Sequence, residues 1–301
     1  MRRLFAISFL LAAVPLFAHT GVEAVTPPEL WHAWTFEPVV LALLVVSAAL
    51  YAIGSARSGY AASTRSQRVA FWSGWLALCI SQVSPLHKLG EALFSAHMVQ
   101  HELLMLIAAP LLVYSRPLAS FLWALSPTMR VRLGTLAKDP RWLRFWRRLT
   151  APLTAWTLHA AALWGWHVPA LYQATLVSEW MHALQHASFL GTALLFWWAL
   201  MHEQRARNYG ASVAYIFTTA IHSGALGALL TFAPGLVYPV YAGRTARWGL
   251  SALEDQQLGG LIMWVPSGVV FIVIGLWLFA AWLQESERRV MLSPSVTTWR
   301  E

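Results

Sequence analysis

The chain contains almost no cysteine, since Cys79 is the single one among 301 residues. One thiol cannot form a disulfide within the chain, and it excludes a metal or redox site built from paired cysteines. Cys79 lies inside an apolar stretch, so we interpret it as a small residue that packs between helices.

Charged residues are also scarce: Asp, Glu, Lys and Arg make up 11% of the chain, hydrophobic residues make up 58%, and the mean hydropathy is +0.54. A soluble domain carries roughly twice that share of charge. The composition therefore predicts an integral membrane protein. There is no internal repeat and no nucleotide-binding glycine motif, which favours one domain. We interpret Gly224, Gly227, Gly259 and Gly260 as points where helices pack closely.

Seven intervals are apolar enough to cross a bilayer, which takes about 20 residues of helix. They are free of charge except for Glu102 in the third. The intervals are 38–56, 69–87, 92–115, 149–178, 180–202, 208–243 and 256–284. We predict an all-α, polytopic transmembrane helix bundle with seven spans, which occupies residues 38–284.

The N-terminus has the pattern of a secretory signal, because two arginines are followed by an apolar run that ends at Ala18. This pattern predicts a signal peptide at 1–18, and a retained signal anchor is the open alternative. Residues 19–37 would then form an outer segment, and residues 285–301 a cytoplasmic tail.

The basic residues predict the orientation, because Lys and Arg accumulate on the cytoplasmic side of membrane proteins. Of the 21 Lys and Arg residues, only Lys88, Arg244 and Arg247 fall on segments assigned to the outside. We predict a bacterial cytoplasmic membrane protein with its N-terminus outside and its C-terminus inside. The basic loop 116–148 suits anionic lipid, and RWLRFWRRL at 141–149 is typical of a helix that lies along the headgroups. No nucleic-acid partner is needed to explain the charge.

Histidines recur in the predicted spans at helical spacing. His97 and His101 are four residues apart and share one helical face, which Met105 continues one turn further. His182 and His186 repeat the same spacing in another span. Buried polar rings must find partners in a layer without water, so two such pairs at matching depth predict a metal site in the outer third of the bundle.

Three further histidines are placed by depth alone. His167 lies at the outer boundary of its span, at the level of the two pairs, and we include it in the predicted metal site. His159 and His222 lie nearer the middle of the membrane. A metal role and a hydrogen bond to a neighbouring helix are both open for these two.

The ligand types favour copper. Neutral imidazole suits copper, zinc, iron and nickel, and thioether sulfur adds a preference for cuprous copper. Haem is the second candidate, because histidines on facing helices can hold its iron from both sides. The methionines in or beside the same predicted helices are Met98, Met105, Met181 and Met263.

Three acidic residues lie close to this region. Ser251 and Glu254 have the spacing of a capping box, which accounts for Glu254 at a helix start. Asp255 is free to face the bundle as a ligand or as a partner of a histidine. Glu102 lies beside His101 within a span, where a carboxylate needs a proton or a partner.

Several motifs together resemble the CtaG family of cytochrome c oxidase assembly factors. They are His97-Met-Val-Gln-His101, Ala109-Pro-Leu-Leu112, Trp166-His-Val-Pro-Ala-Leu-Tyr172, His182-Ala-Leu-Gln-His186, Phe196-Trp-Trp198, Leu229-Leu-Thr-Phe-Ala-Pro234, Leu253-Glu-Asp-Gln-Gln-Leu258 and Met263-Trp-Val-Pro266. The resemblance implies a polytopic bacterial membrane protein that matures a haem-copper oxidase by supplying copper to its catalytic subunit. The residues carried over are His97, His101, His167, His182, His186, Glu254 and Asp255, whereas His159, His222 and Glu102 have no matched position.

We therefore expect binding and transfer of copper without covalent chemistry. Release requires two or three firm ligands and one labile one. An outer-compartment copper donor is an expected partner, with His19, His32 and His87 on outer segments helping reception. Two alternatives stay open, namely a bis-histidine haem protein that carries electrons and a metal permease.

Overall fold

The computed structural model describes residues 25–59, 62–205 and 209–292, with the side chains of 202–205 and 289–292 left undescribed. The predicted signal segment 1–18 and His19 lie outside these residues. Within the described residues the chain is helical and contains no strand.

Thirteen helices are numbered here in chain order. They are α1 Pro38–Arg57, α2 Arg65–Val83, α3 Pro85–Ala92, α4 Phe94–Glu102, α5 Ala109–Ser115, α6 Leu118–Ala124, α7 Pro127–Ala137, α8 Pro140–Leu149, α9 Pro152–Trp166, α10 Pro169–Thr175, α11 Glu179–Arg205, α12 Tyr209–Thr231 and α13 Ala252–Leu292. A π-helical stretch, Leu103–Ala108, joins α4 to α5.

Four of the described helical runs are long and apolar enough to cross a membrane. They are Pro38–Arg57, Phe94–Ser115, Tyr209–Thr231 and Ala252–Arg288. A fifth crossing results if α2 and α3, which meet at an angle of 48°, are counted as one bent span. The prediction of an all-helical membrane protein is confirmed in this form. The seven spans and their orientation stay predictions.

Proline interrupts two of the predicted spans, so neither is a single continuous helix. The span 69–87 is divided because α2 ends at Val83 and Pro85 begins α3. The span 149–178 is divided in the same way, with Pro169 beginning α10. Proline lacks an N–H and disfavours a helical conformation in the residue before it, so each of these residues ends one helix and suits the first turn of the next.

The predicted span 208–243 was also too long. Helix α12 ends at Thr231, and residues 232–251 form an irregular segment with two short 3₁₀ turns, Pro239–Tyr241 and Thr245–Trp248. We call 232–251 the outer segment, after its predicted side of the membrane. Its long apolar composition reflects burial against the bundle, because Tyr238 and Tyr241 are each 1% exposed.

The π-helical stretch has an identifiable cause. In a π-helix each N–H bonds to the carbonyl five residues earlier, and the Ala109 N–H accordingly bonds to the Leu104 oxygen. Pro110 has no N–H to donate to the next carbonyl in the series, that of Met105. The indole of Trp197 in α11 supplies the missing donor, at 2.8 Å from the Met105 oxygen. The irregular turn is thus fixed by a neighbouring helix.

On the predicted cytoplasmic side, residues 116–148 are helical where a loop was expected. Helix α8 begins after Asp139, whose carboxylate accepts from the Arg141 N–H at 2.7 Å. Trp142 and Phe145 are exposed on a helix that also carries four arginines. The helix at 140–149 suits the predicted position along lipid headgroups, which stays a prediction.

Helices α12 and α13 pack closely through glycine. A Cβ placed on Gly260 would lie 2.6 Å from the Thr231 backbone nitrogen, and one on Gly227 would lie 3.0 Å from the Gly260 oxygen. One on Gly259 would lie 2.2 Å from the Phe94 ring of α4. These three glycines confirm the predicted close packing. The interpretation was wrong for Gly224, where a Cβ would meet nothing within 4 Å.

Gly260 is tightly packed and Gly224 is not, so replacing each with alanine gives a matched pair of variants. Gly260→Ala should destabilise the protein by about 1–3 kcal/mol, because the added methyl must push backbone apart. Gly224→Ala should leave stability unchanged or raise it by about 0.5–1 kcal/mol, because alanine favours the helix and has room. Thermal unfolding in detergent, followed by tryptophan fluorescence, measures both. Equal stabilities of the two variants would contradict the packing described here.

Candidate metal centre

Three histidines on two helices form the centre of the site. His97 of α4 and His182 and His186 of α11 each offer a ring nitrogen, and these nitrogens lie within 4.8 Å of one another. All three side chains are buried, and His97 is 0% exposed. We call His97, His182 and His186 the histidine trio.

The trio follows from helix geometry. Residues four apart on a helix lie one above the other, which brings His182 and His186 together with their Nε2 atoms 3.0 Å apart. One of these nitrogens donates a hydrogen to the other, and an ion between them would replace that shared proton. His97 enters from α4, with its ring centre 5.2 Å from that of His182.

Glutamine side chains orient two of the trio rings. The His97 Nε2–H donates to the Gln185 Oε1 at 3.2 Å, which leaves the lone pair on Nδ1, and that atom has no hydrogen-bond partner among the described residues. The Gln82 amide lies 3.0 Å from His186 Nδ1, and the Nε2 of His186 faces the trio. A ring held at one nitrogen presents the other to a metal in a fixed direction.

His101 lies at the edge of the trio. Its ring centre is 4.4 Å from that of His97 and 5.3 Å from that of His186. Both of its nitrogens are buried and have no hydrogen-bond partner among the described residues. His101 is thus an unpaired ring beside the trio, where it could serve as a fourth metal ligand. Its nitrogens are not among the ring nitrogens that lie within 4.8 Å of one another.

His87 belongs to the same cluster, a placement that sequence reasoning missed. It was predicted on an outer segment, but the structure buries it in α3 with its ring centre 4.9 Å from that of His182. The Gln100 amide donates to its Nδ1 at 3.4 Å. The sequence held a signal for Gln100 and Gln185, because glutamine precedes the second histidine in both HMVQH and HALQH.

The other predicted histidines lie outside the trio. The His167 Nδ1–H donates to the Leu163 oxygen at 2.7 Å, and its ring centre is 6.3 Å from that of His101. His159 pairs with the Thr192 hydroxyl at 3.2 Å, which accounts for its burial. The His222 ring lies 5.1 Å from the Trp156 ring, and neither of its nitrogens has a hydrogen-bond partner among the described residues. His32 is exposed in a short 3₁₀ turn before α1.

The predicted methionine ligands lie in the apolar core. Met98, Met105 and Met263 are buried among the side chains that pack α4, α11 and α13 together. Their packing explains their burial. A thioether ligand to the trio stays a prediction.

Asp255 positions the helix that carries His97. Its carboxylate, on α13, accepts from the Phe94 N–H at 2.6 Å, the Ser95 N–H at 3.2 Å and the Ser95 hydroxyl at 2.5 Å. These groups form the first turn of α4, whose own N-cap residue, Leu93, supplies no side-chain cap. Asp255 thus caps a helix from across the bundle.

The other two acidic residues behave differently from Asp255. Glu254 is exposed and forms the predicted capping box, accepting from the Ser251 N–H at 2.8 Å while the Ser251 hydroxyl accepts from the Glu254 N–H at 3.2 Å. Glu102 has a buried Oε2 without a hydrogen-bond partner among the described residues. A metal or proton role for either stays a prediction.

The outer segment 232–251 closes the bundle above α4. The Tyr241 hydroxyl donates to the Gly90 oxygen at 3.0 Å, and the Tyr238 hydroxyl donates to the His167 oxygen at 2.8 Å. Tyr172 of α10 shares a hydrogen bond of 2.9 Å with Tyr241 and is 0% exposed. We call Tyr172, Tyr238 and Tyr241 the tyrosine cover.

A second side of the cluster approaches the surface. The His87 Nε2 lies 3.9 Å from the Oε1 of Glu37, the residue before α1. Partial burial raises the pKa of Glu37, and the negative charge of Glu179 raises it further. The positive charge of Lys88 lowers this pKa, and the charge of Glu91 raises it by a smaller amount. Three carboxylates and one lysine therefore lie within electrostatic reach of this point.

The donor set suits a small soft or borderline cation. Neutral imidazoles bind copper and zinc well, and three protein nitrogens leave a further position for an exchangeable ligand. A carboxylate is absent from the converging set within the part of the chain that the structure describes, which disfavours calcium or magnesium.

Comparison with known proteins gives a family match and three relatives. The cytochrome c oxidase caa3 assembly factor family (Caa3_CtaG) matches residues 49–285. An uncharacterised protein of Mycobacterium leprae is 25% identical over 283 residues, covering 89% of this chain and 42% of the relative. Uncharacterised proteins of Mycobacterium bovis and Mycobacterium tuberculosis are each 27% identical over 285 residues, with the same coverage. The chain spans less than half of the length of these relatives. No solved structure matches significantly.

Proposed function

Because the chain belongs to the family of cytochrome c oxidase caa3 assembly factors, we propose that it holds a copper ion at the histidine trio and delivers it to the catalytic subunit of a haem-copper oxidase. The reaction is binding and release, with no covalent step on the protein. Copper is the cargo of the site and leaves with the client.

The convergence of three buried ring nitrogens within 4.8 Å carries the copper step of this proposal. Desolvating an imidazole is unfavourable unless it gains a partner, yet among the described residues His97 Nδ1 and both His101 nitrogens are buried and have no hydrogen-bond partner. A bound cation would satisfy the lone pair of His97, and that of His101 if this ring turned to the ion. Polar atoms that folding leaves unpaired are expected where a ligand completes the structure.

Delivery is supported by the incomplete character of the ligand set. Three protein ligands leave a position that water, His101 or a ligand of the client can fill in turn. A sealed four-ligand site would hold copper too firmly for transfer within the same bilayer. In this proposal the protein lies in a bacterial cytoplasmic membrane with the trio toward the outer face.

A small ion fits this cluster better than haem does. Axial coordination of haem requires two histidines that face each other across a flat ring. Here the His182 and His186 nitrogens are already 3.0 Å apart, and His97 lies against both rings. These contacts leave no room for a porphyrin ring between the three histidines.

Metal analysis tests the proposal. Detergent-purified protein, loaded with cuprous ion and washed with a competing chelator, should retain about one copper per chain and show no Soret band. The His182→Leu, His186→Leu double variant should retain none. Cys79→Ala is the control, because it removes the one thiol of the chain, and this variant should retain copper like the wild type.

Two results would contradict the proposal. A Soret band with little copper would make the cluster a haem site. Equal copper in the wild type and in the double variant would place the metal elsewhere.

A further inference from the structure

Glu37 and His87 connect the surface to the histidine trio. The Glu37 side chain is 36% exposed and the His87 side chain is 7% exposed, and the carboxylate Oε1 lies 3.9 Å from His87 Nε2. The amide of Gln100 holds the ring by its other nitrogen. The free edge of the His87 ring is therefore aimed at a carboxylate that water can reach.

The inner side of His87 faces the trio. Its ring centre is 4.9 Å from that of His182 and 6.3 Å from that of His186. His182 also lies 5.2 Å from His97, ring centre to ring centre. His182 is thus the trio member that lies next to both His87 and His97.

Electrostatics favour a cation at this point. Glu37 lies near Glu91 and Glu179, whose negative charges both act on its carboxyl group. The nearby Lys88 is paired with Glu91, its Nζ 2.9 Å from the carboxylate oxygen. This pair balances Lys88 against one carboxylate, so Glu37 and Glu179 remain as the carboxylates that attract positive ions.

The other approach to His97 is closed. The tyrosine cover closes this side of the bundle, because Tyr238 and Tyr241 of the outer segment pack with Tyr172 and all three side chains are at most 1% exposed. The Tyr172 ring centre lies 5.2 Å from that of His97. Hydrogen bonds to the backbone of α3 and to the end of α9 hold this cover in place.

We propose that Glu37 and His87 form an uptake relay through which a cuprous ion reaches the trio. The ion first binds the Glu37 carboxylate and His87 Nε2, then gains His182 as it releases Glu37, and finally exchanges His87 for His97 and His186. Each step exchanges ligands without transferring an electron, so the copper stays cuprous, and the last step adds one ligand because two histidines replace His87. This inference rests on the proposed function and adds the route of its cargo.

Loading kinetics test the relay. Full-length protein in detergent is mixed with cuprous bicinchoninate, and the loss of the coloured complex follows copper uptake. Glu37→Gln and His87→Gln should each slow uptake by about tenfold or more, because a steering charge or a transient ligand is lost. The release rate should fall in proportion, so the equilibrium affinity remains that of the trio. Glu29→Gln, which removes the same charge from the exposed segment before α1, should load at the wild-type rate.

The outcomes separate the relay from the proposed function. Unchanged uptake in Glu37→Gln and His87→Gln, with copper still retained by the trio, would overturn the relay alone. A loss of equilibrium affinity in His87→Gln as large as that in the trio variants would also overturn it, because His87 would then be a permanent ligand. A wild-type protein that takes up no copper would overturn both.

Discussion

Replacing both His97 and His101 with leucine should leave the yield of folded protein unchanged and weaken cuprous binding by at least about 100-fold. A loss of this size exceeds the effect of removing a residue that only orients a metal ligand. His97 is a trio member, and His101 lies beside it with neither nitrogen hydrogen-bonded among the described residues. Leucine removes the unpaired buried nitrogens, which offsets the loss of the hydrogen bond from His97 to Gln185. Copper binding should thus be lost while folding is retained.

The measurement has two parts. Copper affinity is obtained by competition with a chelator, and oxidase maturation is followed in membranes by the absorbance and activity of the oxidase. The His159→Leu, His222→Leu double variant is the matched control, because it also removes two histidines, one buried and one partly buried, but outside the trio. If both double variants support maturation equally, His97 and His101 are not needed for the function.

Asp255→Ala should destabilise the protein by about 3 kcal/mol or more, because three buried donors lose their acceptor and each costs about 1–3 kcal/mol when left unpaired. The donors are the Phe94 and Ser95 N–H groups and the Ser95 hydroxyl, at the start of the helix that carries His97. We also expect weaker copper binding, since the first turn of α4 loses its only side-chain cap.

Glu254→Ala is the control for this effect. Glu254 is the neighbouring carboxylate on the same helix, but it is exposed and closes an ordinary capping box with Ser251. Its loss should cost much less than that of Asp255, because water can replace its exposed hydrogen bonds. Thermal unfolding in detergent compares the two variants. Similar shifts in the unfolding temperature would mean that Asp255 does not hold α4.

Composition was sufficient to predict the helical membrane domain. Hydropathy did not predict the positions inside the apolar intervals where helices end. Charge-free intervals report only that a segment is apolar, and both a crossing helix and a buried irregular segment satisfy that condition. The outer segment 232–251 is apolar because its tyrosines pack into the bundle. Pro85 and Pro169 were visible in the sequence and could have indicated the helix boundaries at those positions.

The histidine pairs were predicted because spacing along one helix determines which residues share a face. The trio draws on both pairs, and His101 lies at its edge. Depth in the membrane gave no information about rotation around each helix axis, which decides whether a side chain faces a neighbouring helix or lipid. His87 therefore joins the cluster although we predicted it on an outer loop. His167 lies farther from the trio than predicted, with its ring centre 6.3 Å from that of His101.

The π-helical stretch between His101 and Ala109 has a consequence for sequence comparison. A π-turn contains one residue more than the α-helical turn it replaces, and one residue corresponds to about 100° of rotation. Relatives with a straight helix here should align with a single-residue gap between 103 and 108. Without that gap, every position from Ala109 to Ser115 would be compared with a residue on a different face, so conservation scores for α5 would describe the wrong surface.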